Sequence, residues 1–324
     1  MRTLRRCQKL LSNRTEVVFA YVFLLLFFLT AALLRPRFVS AYNLRNLMVS
    51  AFPFAMAMFA QTLVIITSGI DLSVGAVVSL SNVVCASLMM QHSAAVAIAA
   101  ALGVGLLCGL LNGVLVAKTG IQPIIITLST DTIISGIALY VMGAPGGTAS
   151  DGFASFFNWK LAGFPMALFL LIVVSVIMWL LLNRTRLGRS ILAIGGNESS
   201  AYSSGVNVAR TKILTYTIAG VLSAVAGIFL VSQMYSGDPT VGENYTMKAI
   251  IMAAIGGTSL SGGKGSVIGG LAGVFIMCII NNLLNLMGIS TFYQFVIQGV
   301  VLIASLMLGT LQSYLKSKRQ EMEG

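Results

Sequence analysis

Charge is what this chain is short of. Only 9% of its 324 residues are Asp, Glu, Lys or Arg, where a water-soluble domain carries about 25%. With 57% hydrophobic residues and a mean hydropathy of +0.93, its surface must be clothed by lipid. Histidine is scarcer still. His92 stands alone, which argues against histidine-based metal sites. An intramembrane Ser–His protease is excluded as well, because His92 falls at an expected span end, away from the serine run Gly257–Gly262. Cysteine offers little: Cys7, Cys85, Cys108 and Cys278 are too far apart for a disulfide framework or a metal spacing, and are read as small packing residues. A phosphate-binding loop is also missing. Lys264 is followed by Gly265 rather than Ser or Thr, and Thr258 stands where the loop needs its first glycine. Neither ATPase nor other enzyme chemistry is expected in this chain.

Against that background one carboxylate stands out. Between Arg45 and Lys118 the only formal charge is Asp71, in Thr67-Ser68-Gly69-Ile70-Asp71-Leu72-Ser73-Val74-Gly75. A charge in hydrocarbon costs at least ~2.5–3.5 kcal/mol, so such residues face a cavity or a partner. The glycines and Ser73 around it break the helix, and broken helices in membranes line pathways. The motif points to transport.

About ten spans are expected, near residues 16–34, 46–66, 71–90, 93–117, 122–143, 164–182, 212–233, 246–259, 265–287 and 292–313. The fold class is therefore an all-α membrane protein, with residues 1–324 as one transmembrane domain. The first span follows Arg2, Arg5, Arg6, Lys9 and Arg14 but lacks a clear cleavage site, so it is read as a retained helix. Those five, together with Lys118, Arg184, Arg186, Arg189, Arg210, Lys212, Lys264, Lys316, Lys318 and Arg319, fall on one side; Arg35, Arg37, Arg45, Lys160 and Lys248 fall on the other. The net charge of +11 thus reads as a positive-inside bias rather than as a nucleic-acid-binding face. It places the N-terminus (1–15), the segment 183–211 and the tail (314–324) in the cytoplasm, and the loop 143–163 outside. The basic stretch 35–45 is read either as a surface-lying segment or as a misplaced start of the second span.

Within 183–211, Glu198–Ser204 reads as a short helix with Asn197 as its N-cap and Gly205 as its stop. An internal repeat is also visible. Ser68–Gly75 lies over Ser236–Gly242 with one deletion, and Gly120-Ile121 lies over Gly288-Ile289. Five expected spans separate the copies, which gives a 5+5 inverted repeat with broken helices near residues 67–75 and 236–265.

Gly69–Gly75 resembles the signature of the sugar-type permease subunits of bacterial ABC importers, the ribose, xylose and arabinose permeases. In the same order, Gly109-Leu110-Leu111-Asn112-Gly113, Pro123–Leu128, Gly188–Val206, Ala254–Ser259 and Gly262–Ser266 are similar to further elements of that family. The match runs from about residue 45 to 310. Asp131 departs from it, where an uncharged stretch is more usual.

The resemblance implies a pair of permease subunits, identical or different, forming a path for a monosaccharide across the inner membrane. It also implies a periplasmic sugar-binding protein and a separate cytoplasmic ATPase that uses ATP and Mg; no cofactor is expected in this chain. Asp71, Ser73, Asn112, Thr127 and Asn282 are the candidates for the substrate path. Each also has a structural reading: Asp71 as a helix cap, the others as helix–helix hydrogen bonds. The ATPase-coupling candidates are Gly196, Asn197, Glu198, Ala201, Ser204 and Gly205, and the binding-protein candidates are Asp151, Asp238 and Glu243. A nucleoside or branched-chain amino-acid permease shares the architecture, and an ion-coupled transporter is disfavoured by the single core carboxylate.

Overall fold

In the computed structural model, residues 2–290 are described, followed by 292–294, 296–297, 299–300 and 303; for residues 2–16 only the backbone is described. Helix α1 (Arg2–Leu34) leads through a 3-10 turn (Pro36–Val39) into α2 (Ala41–Ile66). The Ser40 hydroxyl accepts the Asn43 N–H at 3.3 Å and caps α2. This cap moves the second span's start from residue 46 to 41. Arg45 is therefore helical, and only Arg35 and Arg37 belong to the connection.

After a non-helical stretch come α3 (Val74–Leu88), α4 (Ala94–Lys118) and α5 (Pro123–Val141). Gly120, at φ +70, ends α4 in the left-handed region, and Pro123 opens α5. The expected loop 143–163 contains α6 (Asp151–Asn158) and most of a hairpin, β1 (Lys160–Leu161) against β2 (Phe164–Pro165), with Lys160 opposite Pro165. The remaining helices are α7 (Met166–Arg184), α8 (Arg186–Gly196), α9 (Glu198–Ser203), α10 (Val208–Met234), α11 (Tyr245–Ile255) and α12 (Val267–Leu286).

Among the described residues seven helices are long and apolar enough to cross a bilayer: the Val17–Leu34 part of α1, α2, α4, α5, α7, α10 and α12. Helices α3 and α11, with 15 and 11 residues, are apolar but short. At 1.5 Å per residue they cover roughly 22 and 16 Å of a ~30 Å hydrocarbon layer. The expected spans 71–90 and 246–259 are thus corrected to shorter helices preceded by irregular chain. The expected tenth span, 292–313, lies largely outside the described residues, and the tail 314–324 wholly so.

Helices α2 and α10 form the centre. From Ala51 to Thr67 every residue of α2 but Phe54 is buried, because α7, α10, α11 and α12 surround it. Outer helices α1, α4, α5 and α7 keep large apolar side chains on their outward faces, such as Leu107, Leu111 and Ile133. Close approach of α4 to α10 uses Gly105, Gly109 and Gly113, spaced four apart, whose bare faces meet the backbone of Ile213, Tyr216 and Gly220.

Backbone conformations recur at the spacing of the expected repeat. Ser68 (φ 63) follows α2 in the left-handed region, and Tyr235 (φ 56), 167 residues on, ends α10 in the same way. Gly120 (φ +70) beyond α4 has its counterpart in Gly288 (φ +72) beyond α12. The correspondence runs through three helices in each half, α2–α3–α4 and α10–α11–α12. Ile66 at the end of α2 abuts Gly195 of α8, whereas α10 starts just after α9, so the two lead helices run in opposite directions.

Candidate functional site

Asp71 sits in the irregular stretch between α2 and α3 and is only 3% exposed. Its Oδ1 accepts the Ser73 N–H at 2.9 Å and the Ser73 hydroxyl at 2.7 Å. The carboxylate therefore closes a tight turn just ahead of α3; the N-cap position is Ser73, and Asp71 takes no N–H of the helix itself, so the cap expected of it is not formed. The Ser73 hydroxyl oxygen in turn accepts from Asn112 Nδ2 of α4 at 2.7 Å. Thr127 of α5 accepts the Leu72 N–H at 3.0 Å, and its Oγ1 lies 3.1 Å from the Ile70 carbonyl. Thr246 of α11 accepts the Gly75 N–H at 2.9 Å, and its Oγ1 lies 3.1 Å from the Leu72 carbonyl.

These bonds answer a physical demand. Irregular backbone at membrane depth must have its N–H and C=O groups satisfied by protein. Thr127 of α5 and Thr246 of α11 do so here, while Asn112 of α4 holds the stretch through the Ser73 side chain. Two polar atoms remain over: Asn112 Oδ1 and the Tyr216 hydroxyl are buried without a hydrogen-bond partner. The Tyr216 hydroxyl lies against Gly69 in the same stretch. Asp131, half-buried on α5, is close enough to Asp71 for the two charges to interact.

Of the five path candidates, Asp71, Ser73, Asn112 and Thr127 are brought together. Asn282 is not. Its side chain exchanges two hydrogen bonds with Asn43, at 2.8 and 2.9 Å, near the far end of α2. Along α2 that is roughly 34 Å from Ile66 at 1.5 Å per residue.

The second break, between α10 and α11, repeats the first. Asp238 Oδ1 accepts the Thr240 N–H and hydroxyl, each at 2.8 Å. Asn82 Oδ1 accepts the Asp238 N–H at 2.8 Å. Ser79 of α3 accepts the Gly242 N–H at 2.9 Å, mirroring the bond from Gly75 to Thr246. Gly75 and Gly242 lie back to back, each filling the space a Cβ would need on the other. Ser79, Thr246, Asn82 and Tyr216 escaped the sequence reading. The first two were recoverable, since each motif's Val-Gly is followed four residues later by a hydroxyl residue, Ser79 or Thr246.

Asp238 and Glu243 lie at or near the end of the molecule where Gly237 pairs with Gly146 of the 143–163 segment, whose helix α6 begins at Asp151. Asp151 and Glu243 are exposed, while Asp238 spends its carboxylate on Thr240.

At the opposite end, Asn197 Oδ1 accepts the Ser200 N–H at 2.7 Å and caps α9, and Gly205 follows it at φ +83. Gly196, Glu198, Ser204 and Gly205 are exposed and Ala201 is buried beneath them. Glu198, one of the coupling candidates, accepts from Lys212 Nζ of α10 at 2.8 Å through both oxygens. Gly195 packs on the Ile66 carbonyl and on Gly263, and Ser68 Oγ lies 3.1 Å from the Ser261 carbonyl. The segment around α8 and α9 is thus seated directly on the first break and on the late glycine-rich turn.

A family model described as the permease component of branched-chain amino acid transport systems matches residues 43–306. The chain belongs to this permease family. Relatives include the ribose import permease protein of Bacillus subtilis (strain 168), 40% identical over 87% of this chain and 89% of its own. The D-allose transport system permease protein of Escherichia coli (strain K12) is 37% identical over 85% and 86%. The L-arabinose transport system permease protein of the same organism is 35% identical over 94% and 91%. No solved structure matches the permease. The match spans both breaks, α8 and α9, so every candidate site residue, from Asp71 to Asn282, lies inside it.

Proposed function

We propose that this permease forms half of the translocation path of an ABC importer for a monosaccharide. The observation that carries the substrate class is the set of relatives, whose names specify ribose, allose and arabinose import. In this reading a periplasmic binding protein delivers the sugar, a separate ATPase supplies energy through ATP and Mg, and a second permease copy or relative completes the path. The chain itself carries out no covalent chemistry.

Orientation follows the charges, with α8 and α9 cytoplasmic and the 143–163 segment periplasmic. The protein lies in the inner membrane as a 5+5 inverted repeat, in which α3 and α11 cross only together with the irregular breaks that precede them. Gly196–Gly205 docks on the ATPase, with small residues allowing close approach. Asp151, Asp238 and Glu243 face the binding protein. Motion of α9 passes through α8 and Gly195 to the first break, because those backbones are in contact. The two breaks then rearrange about the Gly75–Gly242 contact, and the path alternates the side it faces. Asp71, Ser73 and Thr127 hold the break in shape, and Asn112 Oδ1 and the Tyr216 hydroxyl supply unspent polar capacity to a passing sugar hydroxyl. Asn282 braces α12 against α2 and is withdrawn from the path.

The test is reconstitution of the permease with its ATPase and binding protein. ATP hydrolysis should rise with binding protein plus a pentose or hexose and not with leucine or a nucleoside. Stimulation by leucine would shift the reading to the branched-chain amino-acid class that the family description names. Solute uptake by this chain alone, driven by an ion gradient, would overturn it.

A further inference from the structure

We propose that the groove between α7 and α12 seats one acyl chain of an anionic phospholipid whose phosphate rests on Arg184. The groove holds about 380 Å³ and is lined by Leu171, Ser175 and Trp179 of α7 and by Ile268, Leu271 and Phe275 of α12. Its one hydroxyl is already committed, since Ser175 Oγ donates to the Leu171 carbonyl at 2.6 Å. A sugar entering here would leave its own hydroxyls unpaired, whereas a hydrocarbon chain loses nothing.

Direction and length fit a lipid of one leaflet. α7 ends and α12 begins at the α8 end of the molecule, so Trp179 and Ile268 mark the groove's mouth and Phe275 its depth. From Trp179 back to Leu168, another lining residue, the helix covers roughly 16 Å, about half of a ~30 Å hydrocarbon layer.

Charge at the mouth selects the head group. The Arg184 guanidinium carbon lies 5.7 Å from the centre of the Trp179 ring, which ties a cation to the groove wall. Arg186 and Arg189 follow within the next turns, and all three arginines are exposed. Among the described residues the one ion pair is Lys212–Glu198, so none of these arginines is paired with a described carboxylate. A basic cluster opening onto an apolar inter-helix groove, with a tryptophan at head-group level, is the arrangement that holds an anionic lipid. The assignment is independent of the sugar path, which none of these residues touches.

Native mass spectrometry of the full chain, equilibrated with equal phosphatidylglycerol and phosphatidylcholine, tests it. Wild type should retain phosphatidylglycerol preferentially. Arg184→Gln should lower that retention about five-fold without changing phosphatidylcholine. Ser175→Phe, or Leu271→Phe if the first variant fails to fold, should fill the groove and abolish the preference. Equal retention of both lipids by wild type, or unchanged phosphatidylglycerol binding in a folded groove-filling variant, would overturn the proposal. So would a disulfide formed in membranes by Ser175→Cys, either with the same variant in a second copy or with Val300→Cys in one chain. Such a bond would show that protein, not lipid, covers the groove.

Discussion

The two breaks share one plan and differ in how firmly they are held. At the first, Asp71 is almost wholly buried, and α4, α5 and α11 each pin the chain with one side chain. At the second, Asp238 is half-buried, its partner Thr240 is exposed, and the pinning side chains come from α3 alone, Asn82 and Ser79, beside the backbone pairing of Gly237 with Gly146. The turn that starts each short helix is therefore set by local chemistry, a carboxylate folding back on the hydroxyl residue two places on. Rigidity is set by the neighbourhood. The tightly pinned break rests on α8, and the looser one adjoins the segment containing α6.

The contact the two breaks share should be the most sensitive. Gly75→Val or Gly242→Val drives a side chain into the opposing backbone, and overpacking of that kind costs about 3 kcal/mol or more. Loss of monodisperse protein on size-exclusion chromatography is the expected result for both. Survival of either would show that the contact can open without harm.

Asp71→Ala should cost about 2–3 kcal/mol, because it strands a buried N–H and the hydroxyl that holds Asn112. Asp238→Ala, in the more open break, should cost only about 1 kcal/mol. Thermal melting in detergent reads the difference, and equal losses would erase the asymmetry between the breaks. The cross-bonds provide the converse test. Ser79→Ala and Thr246→Val each unpair one buried glycine N–H, at about 1–2 kcal/mol. Their melting shifts should agree closely, and a gap of several degrees would mean that the pair is not equivalent.

Least costly to the fold is Glu198→Gln. Glu198 is 54% exposed in its pair with Lys212, and exposed pairs contribute at most ~1 kcal/mol. Stability should hardly change, and the residual effect should fade further as salt is raised. ATP hydrolysis stimulated by the binding protein should fall nonetheless, which separates a coupling role from a structural one.

Sequence made the first break legible because a lone carboxylate among glycines has few uses in a membrane. It also made α9 legible, since Asn197 and Gly205 are strong local signals that need no tertiary help. It misjudged α3 and α11 as full spans. Hydropathy ran the span 71–90 through Asp71–Ser73, but could not record that Thr127 and Thr246 release this stretch from helix by supplying its hydrogen bonds. Asn282 was misplaced for a related reason. A polar residue on an apolar helix looks like a path residue until its partner is known, and Asn43 is 239 positions away. The groove between α7 and α12 had no sequence signal, because it is defined by what two apolar faces fail to fill.

The short helices carry one more consequence. Both α3 and α11 begin next to the Gly75–Gly242 contact, so two helix N-termini meet deep inside the protein. Each presents roughly half a positive charge; at α3 the Asp71 carboxylate answers it, which leaves the α11 end as the dipole that disfavours cations and protons in an adjoining route. A route built beside it would let an uncharged polyol through while keeping the ion gradients of the membrane intact.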